Sequence, residues 1–158
     1  MSGTIHASAV IVGEHGILIR GASGSGKSGL ALALLRAAAQ SGMFGRLVGD
    51  DRIALIEANG RLILRGHPAI AGRIERRYFG IDHMPHEPAC VARLVVEWQS
   101  DDVAARLPEA FGTLRKIGHI ALPHLPLPAR LPRDAAVDAI LAWLHREISS
   151  GNRLAATA

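Results

Sequence analysis

Gly21-Ala22-Ser23-Gly24-Ser25-Gly26-Lys27-Ser28 matches the pattern G-x-x-x-x-G-K-[ST] at every fixed position. The stretch on either side fits the loop. Residues 17–20 are a short apolar, β-rich run leading in, and residues 28–40 are dense in Leu and Ala, a helix of about three turns leading out. Three glycines let successive backbone N–H groups turn inward around phosphate oxygens, and the start of the helix adds its partial positive charge. Gly21, Ala22, Ser23, Gly24, Ser25, Gly26, Lys27 and Ser28 are therefore expected to bind the phosphates of ATP. Lys27 would reach the β- and γ-phosphates and Ser28 would hold Mg²⁺.

Outward from the loop, residues 9–12 and 17–20 flank Gly13-Glu14-His15-Gly16 and read as a hairpin. Ser41-Gly42 ends the helix, and Leu47-Val48 reads as a buried strand with Asp50 and Asp51 at its tip. A metal-bound triphosphate needs an acidic anchor at the end of a neighbouring strand, which is where this pair falls. Adjacent strand residues point to opposite sides, so the two carboxylates are expected to divide their work between metal or water and the incoming nucleophile. The bland alternative is that one of them caps the turn into Ile53.

Residues 53–58 and 61–64 flank Asn59-Gly60, a strong hairpin signal, and residues 91–98 read as another strand. Residues 100–111 are expected to be helical in part. The proline-rich stretch 119–132 is expected to be a connection without extended regular structure. Asp134 is expected to cap a last amphipathic helix whose core face is Ala136, Val137, Ile140, Leu141, Trp143 and Leu144. Hairpins around one β–loop–α unit predict an α/β chain with a mixed, largely antiparallel sheet.

Composition sets the outer limits. The 158 residues suffice for one domain with its own core, and 49% hydrophobic against 20% charged residues is globular composition. We expect a single catalytic domain over 1–148 and a flexible tail over 149–158. The apolar runs fall short of a membrane span, and MSGTIHASAV does not read as a secretory signal. The single cysteine, Cys90, is expected to pack as a small apolar residue, which suits a cytoplasmic protein. The net charge of +4 is carried mainly by arginine, and 4% aromatic residues leave little for a base-stacking platform. Neither nucleic acid nor membrane is an expected partner. His83-Met84-Pro85-His86 does not complete a standard zinc motif.

The order His6, GASGSGKS at 21–28, RLVGDDR at 46–52 and IERRYFGI at 74–81 resembles HPr kinase/phosphorylase, in the short form that consists of the catalytic domain alone. The resemblance covers about residues 5–125 and implies a P-loop fold similar to phosphoenolpyruvate carboxykinase. It also implies ATP- and Mg²⁺-dependent phosphorylation of a serine on the phosphocarrier HPr, reversal by phosphorolysis, and a homohexamer. Position by position, Lys27 and Ser28 resemble the phosphate lysine and metal ligand. Asp50 and Asp51 resemble the catalytic aspartates, one of them the proton acceptor, and Glu75 resembles a second metal ligand. His6, Arg77 and Arg106 resemble further catalytic positions.

Two departures stand out. Tyr78 occupies a position where the signature has glycine, so it must either cost something or reshape the loop. The 121–130 segment lacks the run linked to dephosphorylation, which favours kinase activity over the reverse reaction. Two other readings fit the P-loop alone: a kinase for a small metabolite, and a nucleotide-dependent regulatory module without phosphotransfer.

Overall fold

The structure is a computed structural model that describes residues 2–102 and 113–150. Eleven strands run in chain order: β1 (Ser2–Ile5), β2 (Ser8–Val12), β3 (His15–Arg20), β4 (Gly45–Gly49), β5 (Ile53–Ala58), β6 (Arg61–Gly66), β7 (Arg73–Arg76), β8 (Gly80–His83), β9 (Ala89–Gln99), β10 (Thr113–Ile117) and β11 (Ile120–Pro128). Helix α1 (Lys27–Gln40) follows β3, and α2 (Arg133–Ser149) closes the described chain. The expected hairpins form: β2 pairs with β3, and β5 with β6 around Asn59 and Gly60, both at positive φ as their turn requires.

Nine strands make one mixed sheet in the order β1-β5-β6-β9-β3-β2-β4, with β11 and β10 branching from β9. The sheet forks because β9 is eleven residues long. Its first part pairs antiparallel with β6, and its second part lies between β3 and β11, parallel to both. The expected α/β class with a largely antiparallel mixed sheet is what the chain adopts. β7 and β8 form a separate two-stranded ribbon.

Alternation along the central strands splits the apolar side chains between two cores. On one face Ile17, Ile19, Leu94 and Val96 meet Leu30, Ala31, Leu34 and Ala38 of α1 and Ala136, Ile140, Trp143 and Leu144 of α2. On the other, Leu18 and Val95 pack with Val48, Ile53, Leu62, Leu64 and Leu122. Cys90 is buried in this second core, which pushes its thiol up to about 12, so it behaves as an apolar filler. No helix among the described residues is long and apolar enough to cross a membrane.

Two expectations need correction. The 119–132 stretch is not irregular: nine of its residues form β11. Each proline sits where one of the strand's two ladders is missing. Pro126 and Pro128 pair with β9 but lie beyond the part facing β10, and Pro123 faces β10 but precedes the pairing with β9. A proline without an N–H is tolerated where no donor is needed. The start of α2 also differs, because its N-cap is Pro132 and Asp134 lies in the first turn. The carboxylate of Asp134 accepts from the Ala135 amide at 2.9 Å, so it contributes charge to the helix start without being the cap. The expected helical stretch at 100–111 falls mostly outside the described residues, as does most of the tail.

Candidate active site

The turn from β3 into α1 leaves the helix N-terminus open. Gly24 and Gly26 take positive φ, at 77° and 99°, which a side chain would resist. Gly26 is the N-cap of α1; no side-chain cap closes the helix and no acidic residue lies in its first turn. The unclaimed amides and the dipole therefore face outward together, as anion sites do. Ser25 Oγ is buried in the loop without a hydrogen-bond partner among the described residues. Lys27 is buried and donates from Nζ to the carbonyls of Gly21 and Ala22 at 3.1 and 3.0 Å, so its ammonium lies against the loop.

β4 pairs with β2 and brings Asp50 beside the first turn of α1. The buried Asp50 carboxylate accepts from Ser28 Oγ at 2.9 Å to each oxygen and from Ser8 Oγ at 2.5 Å. The next residue, Asp51, has φ 73°, and its carboxylate turns the other way to meet Nε2 of His6, which sits on the bend after β1. Both partners of that contact are more than half exposed. The two aspartates thus face different surroundings, one set against the phosphate loop and one open to an approaching molecule.

His6, Lys27, Ser28, Asp50, Asp51, Glu75 and Arg77 all line one cleft of about 540 Å³, together with Ser23, Gly24 and Gly26 of the loop. Glu75 and Arg77 arrive on the β7–β8 ribbon. There Arg76 and Asp82 form an ion pair, Nε to Oδ2 at 2.5 Å, whereas Arg77 has no such partner among the described residues. Gly21 and Ala22 take part through their carbonyls, as Lys27's acceptors. Arg106 lies outside the described residues.

Several residues in and behind the cleft escape a reading of motifs. Ser8 falls in an ordinary β-rich run, and nothing in the sequence marks it as a partner of Asp50. Arg36 and Arg133 line the cleft itself, as does Phe79 from the 74–81 stretch. Arg36 is one polar position on an amphipathic helix. Arg133 comes from a helix far along the chain, and only its place straight after Pro132 sets it apart.

The residues present suit a magnesium nucleotide. A hydroxyl backed by one carboxylate, with a second carboxylate in the same cleft, is the sparse donor set that Mg²⁺ accepts when phosphates and water complete its shell. Among the described residues no group of three or more His, Cys, Asp or Glu could hold a metal by itself. His86 Nδ1 instead lies 3.3 Å from the Met84 carbonyl.

No family model matches the chain. It is 30% identical over 141 residues to the HPr kinase/phosphorylase of Mycoplasma mycoides subsp. mycoides. That match takes in 82% of this chain and 43% of the Mycoplasma protein, so the chain spans less than half the length of this curated relative. Among solved structures, the Hpr(Ser) kinase/phosphatase from Coxiella burnetii has the same fold, with a TM-score of 0.74 at 24% identity. The superposition covers 94% of this chain and 99% of that one. The chain is a sequence relative of HPr kinase/phosphorylase and carries the fold of the Coxiella protein.

Proposed function

We propose that this relative of HPr kinase/phosphorylase transfers the γ-phosphoryl group of ATP to a serine of an HPr phosphocarrier, in the cytoplasm and as a homohexamer. Residues 1–148 act as its one catalytic domain, and the same site supports phosphorolysis, in which inorganic phosphate takes the phosphoryl group from the phosphoserine, forms pyrophosphate and frees the serine hydroxyl. The observation that carries this reading is the divided pair of aspartates at the mouth of a complete phosphate loop.

In this reading the loop amides cradle the α- and β-phosphates and Lys27 reaches the β- and γ-phosphates, leaving the Gly21 and Ala22 carbonyls to do so. Ser28 and Glu75 are the metal ligands, and Asp50 orients Ser28. When bound, Mg²⁺ supplies charge neutralisation across the β- and γ-phosphate oxygens. Asp51 is exposed beside His6 and takes the proton from the serine hydroxyl as its oxygen attacks phosphorus. His6 holds the Asp51 carboxylate toward the cleft. Arg77, a cation without an acidic partner among the described residues, spreads charge from the transferring group.

Asp51→Asn tests the assignment. It is expected to slow transfer to HPr serine by about a hundredfold or more, the usual worth of a positioned base, while ATP still binds as in the wild type. Transfer is read as the mass gain on HPr. An Asp51→Asn variant that phosphorylates HPr at the wild-type rate removes Asp51 from the chemistry.

A further inference from the structure

Arg133 is the first residue of α2; it is exposed, and its guanidinium lies against the first turn of α1. A Cβ built on Gly29 would lie 2.4 Å from Arg133 Nη2 and 2.6 Å from Cζ, so the arginine occupies space that any larger residue at 29 would fill. Arg133 also lines the cleft that contains Lys27, Ser28 and Asp50. Its position is held from behind, since Ala136, Val137 and Ile140 of α2 share a core with Leu30 and Leu34 of α1.

The stability of the fold does not account for this arrangement. Three arginines around the sheet have carboxylate partners: Arg76 with Asp82, Arg115 with Glu97 and Arg130 with Asp101. Arg133 has none among the described residues. It brings a permanent cation to the N-terminus of α1, the end whose dipole disfavours cations. An anion shared between the helix amides and the guanidinium would reverse that repulsion and satisfy both.

We propose that Arg133 is a nucleotide-phosphate ligand that grips the phosphates that are not transferred. The assignment along the polyphosphate follows from position. Lys27 serves the β- and γ-phosphates, and Gly29 follows Ser28 in the first helix turn, directly after the loop whose amides cradle the α- and β-phosphates. The last helix is therefore part of the nucleotide site, although it lies outside the stretch that carries the motifs. This inference rests on the phosphotransfer reading above and adds to it a residue whose effect is on binding.

The test measures ADP and a non-hydrolysable ATP analogue binding to the full chain by titration calorimetry, with folding checked by thermal melting. Arg133→Ala is expected to weaken both nucleotides to a similar degree, by about ten- to a hundredfold for loss of a charge-assisted contact. Arg133→Lys should fall in between. The exposed Arg61→Ala, at the distant Asn59-Gly60 turn, controls for lost charge and should bind as the wild type.

Gly29→Ala keeps the arginine but moves it aside. It should melt no lower than the wild type, because the guanidinium can swing away and alanine is the better helix former. It should still lose affinity, and the double variant should bind no worse than Arg133→Ala alone. Arg133→Ala binding ADP within about twofold of the wild type, or fully additive losses in the double variant, would overturn the inference. Weakening confined to the triphosphate analogue would overturn the assignment to the non-transferred phosphates. A wild-type chain that fails to bind ADP defeats both this inference and the proposed function. ADP binding without transfer to HPr defeats the proposed function alone and leaves the effect of Arg133 directly readable.

Discussion

Tyr78 sits at φ 71° with 95% of its surface exposed, in a backbone region that residues with a side chain rarely enter. Its ring makes no burial that would offset the strain. The shape is imposed by the turn, in which the Phe79 amide donates to the Arg76 carbonyl at 3.0 Å and Tyr78 takes the third position, where glycine is the usual occupant. The tyrosine thus keeps the backbone course that a glycine would take, and the departure from the signature costs stability without reshaping the loop. Tyr78→Gly should raise stability by about 0.5–1 kcal/mol, the left-handed penalty less the added freedom of glycine in the unfolded chain. Denaturant melts would show the gain, and transfer to HPr should stay within about twofold of the wild type. A loss of stability would mean that the exposed ring holds the turn.

Elements were legible in proportion to how local their signals are. The loop, α1, the Asn59-Gly60 hairpin and the strand before Asp50 are written in contiguous residues, as are Ser23, Gly24, Gly26, Lys27, Ser28, Asp50 and Asp51 of the cleft, whereas His6, Glu75 and Arg77 are marked only by the family resemblance. β11 was hidden because proline is a breaker only where its N–H is needed, and the two half-ladders that spare each proline come from β9 and β10, distant or unrecognised in sequence. β1 and the β7–β8 ribbon carry no alternation strong enough to mark them, and Arg133 depends on the packing of α2 against α1.

The β9–β11 junction has a consequence of its own for pH. His124 on β11 is buried, and its Nε2 lies 3.0 Å from Glu97 Oε2 on β9. Burial pulls its pKa below the ordinary value, as do Arg115 and Arg20, and outweighs the upward pull of Glu97. His15, edge-on to Trp143 of α2 with centroids 6.0 Å apart, is shifted the same way by burial and Arg93 against Glu147 and Glu14. A histidine with a depressed folded pKa takes up its proton more readily when unfolded. Its contribution is therefore whole above the unfolded value of about 6.5 and is lost as pH falls through that value toward the folded one. Denaturation midpoints should drop between pH 7.5 and 5.5, and a His15→Gln, His124→Gln double variant should flatten that slope. An unchanged slope would place the acid sensitivity elsewhere.

At the scale of the whole molecule, the site exists because separate parts of the chain end at one cleft. β3 delivers the loop, β4 the aspartates, the bend after β1 His6, the β7–β8 ribbon Glu75 and Arg77, and α2 Arg133. Two cores on opposite faces of the forked sheet fix these ends relative to one another. Such an assembly is expected to transfer phosphate from ATP to HPr. The most direct test incubates the protein with γ-labelled ATP, Mg²⁺ and HPr from the same organism, beside Lys27→Ala. Label on a serine of HPr, reduced by about a hundredfold or more in Lys27→Ala, is the predicted result. Bound nucleotide with no label on HPr would contradict the account and turn attention to a different acceptor or to a regulatory role.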